Sequence, residues 1–181
     1  MPRNRVLGYR AATRSKMIFN TLSVGILLVI LSALQVSLFG RLRPFGAVPD
    51  LMLSVVLCFA FFSGRYTGAI VGIAAGFLIE CIGSQGISLL PVFYLFVGYV
   101  AGHYARAVQP KRFVSYLFYL GCGLFLRAVM TFVYHVLTHE SIHLPKILLY
   151  AVLPEMVGTA LMGCLLYFPM KLFCTRFNRG K

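Results

Sequence analysis

Six apolar stretches, at 17–39, 48–63, 66–82, 86–105, 113–137 and 144–168, take up most of this sequence, and most of its charged side chains fall between them. A helix that crosses a bilayer needs about 20 mainly apolar residues, and Gly-rich spans of about 17 are accommodated inside a bundle. Six such runs predict an all-α polytopic membrane protein with six transmembrane helices. Composition agrees, with 60% hydrophobic and 12% charged residues and a mean hydropathy of +0.86, where a soluble domain carries about 25% charge. A soluble globule is excluded. The chain reads as a basic N-terminal segment (1–16), one six-helix membrane domain (17–168) and a basic tail (169–181). The first run is too long for a signal-peptide core and no small-x-small cleavage site follows it, so it is expected to remain as the first helix.

Seventeen Lys and Arg against four acids give a net charge of +13. In a soluble chain that balance would suggest nucleic acid; here the bases flank apolar runs, where they orient helices instead. Five lie before the first run, Arg65 in the turn after the second, Arg106, Lys111 and Arg112 after the fourth, and four in the tail, thirteen in all on one side. Only Arg41, Arg43 and Lys146 fall on the other. Both termini are therefore expected in the cytoplasm.

Ionisable groups inside the runs cost about 2.5 to 3.5 kcal/mol each at mid-bilayer and need a partner or a purpose. Arg127 and Glu155 lie at equal depth below the exterior loop on antiparallel neighbours, which predicts an ion pair: a structural clasp, or a transport or substrate site. Pro154 adds to that site by leaving the Tyr150 carbonyl without its helical donor. Asp50 and Glu80 lie at equal height above the tight turn at Gly64 and Arg65. Asp50 follows Pro49 and suits a helix N-cap, while Glu80, near a helix C-terminus, calls for a cation such as Arg41 or Arg43. Asn20 and Gln35 are expected to hydrogen-bond to other helices.

Gly68, Gly72 and Gly76 recur every four residues, and Gly98 and Gly102 repeat the spacing. A stripe of this kind admits another backbone closely, either inside the bundle or on a partner subunit. The segment His139-Glu140-Ser141-Ile142-His143 matches the zinc-protease pattern H-E-x-x-H, with His135 one turn earlier. The chemistry requires both histidines on one helical face, and Leu144-Pro145 follows at once, so a solvated loop is expected and no metal is assigned. The cysteines show no paired spacing, and neither a Gly-rich phosphate loop nor a nucleophile motif occurs. An enzyme is not expected, nor a cofactor.

The run Gly46-Ala47-Val48-Pro49-Asp50-Leu51-Met52-Leu53, then Gly64, the Gly68, Gly72, Gly76-Phe77 series ending in Glu80, and Gly83 and Gly86, resembles the MreD family of rod shape-determining membrane proteins. That family usually carries Asp where this chain has Glu80. The resemblance implies a non-enzymatic subunit of the bacterial cell-elongation complex in the inner membrane, a scaffold bound to the periplasmic protein MreC. Its further partners would be the actin-like MreB and the peptidoglycan glycosyltransferase and transpeptidase, besides membrane lipid. It also implies a fold similar to the substrate-binding component of energy-coupling-factor transporters, with Gly68, Gly72, Gly76, Asp50 and Glu80 as partner-binding candidates. A small-molecule-binding subunit of such a transporter is the rival expectation, and it requires a pocket lined by residues such as Asp50, Glu80 and the 135–143 segment.

Overall fold

The computed structural model describes residues 21–39, 48–83, 89–105, 113–137 and 153–179. All the regular structure among them is helical: α1 (21–39), α2 (Leu51–Ser63), α3 (Arg65–Gly83), α4 (Leu90–Tyr104), α5 (Phe113–Leu137) and α6 (Leu153–Arg179). Three contain stretches long and apolar enough to cross a bilayer, Arg65–Ile82, Phe113–Val133 and Leu153–Thr175. The apolar helices Thr21–Ser37, Leu51–Ser63 and Leu90–Tyr104 are shorter.

α2 is the centre of the bundle. Every residue from Leu51 to Phe62 is buried, which suits a sequence with no polar face. Its 13 residues make a rod of about 20 Å, shorter than the roughly 30 Å hydrocarbon layer. The apolar run predicted from Val48 loses three residues because Pro49 and Asp50 form the start of the helix rather than its body. At the other end Gly64 adopts φ 94°, a left-handed conformation open to glycine, and its N–H still bonds the Ala60 carbonyl at 3.1 Å. α3 begins at the next residue, so one glycine makes the whole α2–α3 turn.

α3, α4, α5 and α6 surround α2, and α1 adds Val24, Leu28 and Leu31 to the core. Below the middle of α2, Phe61 and Phe62 pack edgewise or tilted against Tyr116 and Tyr167. The buried Tyr116 hydroxyl donates to the Gly163 carbonyl at 3.4 Å. The outer faces are apolar, with Val114, Phe118 and Phe125 of α5 and Leu165, Phe168 and Leu172 of α6 exposed. Such faces are costly in water and compatible with lipid.

Two further boundaries differ from the sequence reading. The sixth helix does not end at Phe168: it continues through Pro169 to Arg179, so most of the segment taken as a tail is helical. Proline deprives only the Leu165 carbonyl of its donor, a loss that helices in membranes tolerate. α4 begins at Leu90, with Pro91 in its first turn, rather than at Gly86; residues 84–88 lie outside the described ones.

The glycine stripe is filled from within. A Cβ on Gly68 would stand 2.7 Å from the Gly98 carbonyl oxygen, one on Gly72 would overlap the Tyr94 carbonyl, and one on Gly76 would overlap the Pro91 backbone. Gly98 and Gly102 return the contact against Gly68 and Arg65. The partner-surface reading of Gly68, Gly72 and Gly76 therefore gives way to close packing of α3 on α4. A four-residue glycine repeat encodes close approach, and here the nearest backbone is the chain's own.

Candidate functional site

A helix that starts inside a membrane-embedded bundle leaves N–H groups with no water to bond, so each needs a protein acceptor. At the start of α2 these acceptors come from three helices. Asp50 caps its own helix, accepting from the Leu53 N–H at 3.0 Å on Oδ1. Gln35, in the π-wound last turn of α1, accepts from the Met52 N–H at 3.1 Å. The Asp50 N–H donates at 2.8 Å to Thr159 Oγ1 of α6, whose hydroxyl in turn donates to the Glu155 carbonyl at 2.7 Å.

The other oxygen of Asp50 faces two more helices. Tyr94 of α4 donates its hydroxyl to Oδ2 at 2.6 Å, a length typical of a charge-assisted O–H···O bond. Arg127 Nε of α5 lies 3.5 Å from the same oxygen and donates to Glu155 Oε1 at 3.3 Å. The guanidinium stands over the Phe93 ring at 5.8 Å, within cation–π range. One knot of polar side chains thus joins α1, α2, α4, α5 and α6. Asp50 is 1% exposed, while the Arg127 and Glu155 side chains keep 22% and 18%, so the outer edge of the knot lies between α5 and α6.

Two carboxylates share one guanidinium, and helix ends offset the difference. Asp50 caps α2 and Glu155 lies in the first turn of α6, and each helix N-terminus acts as roughly half a positive charge. The sum is close to zero without any bound ion. Among the described residues no group of three or more His, Cys, Asp and Glu converges as metal ligands would.

Glu80 does not join Asp50. The partners of Asp50 are Leu53, Tyr94, Arg127 and Thr159, and Glu80 Oε1 is buried without a hydrogen-bond partner among the described residues. Arg41 and Arg43, its expected cations, lie outside those residues, as do Asn20, Tyr150 and the whole 139–143 segment; nothing is described of the His135 side chain. Sequence reasoning missed Tyr94 and Thr159. Thr159 carried a signal, because it sits one helical turn after Glu155 and so shares its face.

Replacing Thr159 with Val should strand the Asp50 N–H in the bundle and lower stability by about 1 to 3 kcal/mol. Thr159→Ser, which keeps the hydroxyl, should lose much less. Thermal unfolding in detergent checks this: equal midpoints for the Val variant and the parent would mean that the N–H finds another acceptor.

Comparison of the chain with protein-family models, with curated proteins and with solved structures finds no match in any of the three.

Proposed function

We propose that this chain is a six-span, non-enzymatic scaffold subunit of the bacterial inner membrane, of the MreD kind, that serves the cell-elongation complex by binding MreC in the plane of the membrane. The observation that carries the reading is that the polar residues around the start of α2 are engaged within the bundle. Asp50, Arg127, Glu155, Tyr94, Thr159 and Gln35 tie five helices together, an arrangement suited to holding a rigid shape rather than to turning over a substrate. The surface left for partners is apolar and lies along the outer faces of helices such as α5 and α6. In this reading both termini are cytoplasmic, as the distribution of Lys and Arg favours.

Affinity purification of the tagged full chain from native membranes in mild detergent, followed by mass spectrometry, tests the proposal. A single-pass periplasmic scaffold recovered in near-equal amount, with cell-wall synthases, is the expected result. Recovery of nucleotide-binding subunits and a bound vitamin-like molecule instead would assign the chain to an energy-coupling-factor transporter and overturn the scaffold reading.

A further inference from the structure

At the far end of α3 from Glu80 a second cation sits without a carboxylate among the described residues. Arg65, the first residue of α3, directs Nη2 to the Tyr66 hydroxyl at 2.9 Å and Nη1 towards His103 Nδ1 at 3.5 Å, with its guanidinium carbon 4.6 Å from the centre of the Tyr66 ring. Its Nε is buried and has no acceptor among the described residues. None of these neighbours is a carboxylate. The acids among the described residues are elsewhere: Asp50 and Glu155 hold Arg127, and Glu80 is about 22 Å up α3 at 1.5 Å per residue.

The close packing of α3 on α4 builds this corner. Gly102 brings the last turn of α4 against the Arg65 backbone, so the next residue, His103, is held beside the guanidinium. Because a guanidinium can only donate, Nδ1 is the acceptor in this contact and the ring N–H is on Nε2. That N–H is a second donor, on an exposed ring stacked on Tyr99 with Tyr104 against its edge. Tyr66 and Tyr104 are each 61% exposed and Tyr99 41%. Tyrosines gathered around a basic group mark the headgroup level of a membrane, where a phosphate oxyanion is the abundant acceptor for a planar, multi-donor cation.

We propose that Arg65 and His103, rimmed by Tyr66, Tyr99 and Tyr104, bind a phosphate group at the membrane interface. Arg65 supplies charge, His103 supplies the Nε2–H, and the tyrosine rings lie against the glycerol and upper chain region of a phospholipid.

The test uses the full chain in a neutral detergent and native mass spectrometry. Three probes are titrated: dioleoylphosphatidylglycerol, dioleoylglycerol with the same chains and no phosphate, and inorganic phosphate. The parent should retain the phospholipid in preference to dioleoylglycerol. Arg65→Gln and His103→Ala should each weaken phospholipid retention roughly fivefold, the scale of one basic contact at a membrane surface, and leave dioleoylglycerol unchanged. His103 is exposed, so its variant keeps the test decisive even where Arg65→Gln lowers the yield of folded protein. Competition by millimolar inorganic phosphate supports the site with the oxyanion alone as ligand; phospholipid binding without such competition supports it with the headgroup as source. Equal phospholipid retention by the parent and the His103 variant, or no preference over dioleoylglycerol, would overturn the proposal.

Discussion

Arg127→Ala should destabilise the folded chain by about 3 to 5 kcal/mol, because it leaves two carboxylates facing each other in the bundle without their cation. Replacing a buried ion pair by apolar residues of similar volume is often close to neutral, but Arg127→Met with Glu155→Leu should not recover stability here. Asp50 also approaches Arg127, at 3.5 Å, and would keep its charge with only Tyr94 and the helix end to oppose it. Adding Asp50→Asn preserves the cap to Leu53 and the contact to Tyr94 while removing the charge, so the triple variant should return to within about 1 kcal/mol of the parent. Unfolding midpoints of the single, double and triple variants decide the matter. A double variant as stable as the triple would show that Asp50 does not depend on Arg127.

Gly72→Leu should abolish folded protein. The obstacle at Gly72 is the backbone at Tyr94 and Leu95, which cannot rotate away as a side chain can, so the cost exceeds the usual 1 to 3 kcal/mol of overpacking and reaches about 4 kcal/mol or more. Gly72→Ala should already lower the yield of folded protein. Gly121 supplies the control, since a Cβ there meets nothing within 4 Å, and Gly121→Leu should leave the yield near that of the parent. Measuring monodisperse protein from membranes of each variant tests the pair. Normal yield for Gly72→Leu would move α3 away from α4 and restore the stripe as an outer surface.

The sequence carried more about the polar knot than its separate pairings suggest. Asp50 lies 14 residues before Gly64 and Arg127 lies 14 after Phe113, so both stand about 21 Å from the same end of the bundle at 1.5 Å per residue. Measuring one pair from the inner turn and the other from the outer loop concealed that match. Depth was legible, but azimuth was not: nothing in the α3 sequence says that Glu80 stays out of the group around Asp50. The glycine repeat had the same limit, announcing a close contact without naming the helix that makes it. Tyr94 resembled any aromatic of an apolar run, and only the three-dimensional meeting of α2 and α4 gives its hydroxyl a role. Proline starts a helix at 49 and is passed over at 169, because its effect depends on whether its missing N–H was needed.

The capping of α2 also sets a timetable. The acceptor for the Asp50 N–H, Thr159, is 109 residues further along the chain, which a ribosome adding about 5 to 20 residues per second reaches roughly 5 to 20 s later. During that interval the short central helix has been made, but the Asp50 N–H at its buried end has no final partner. The early helices must therefore wait in a provisional arrangement, beside water or the insertion machinery, until α5 and α6 emerge and close around them. Biogenesis of this chain is in that sense finished from its last helix backwards.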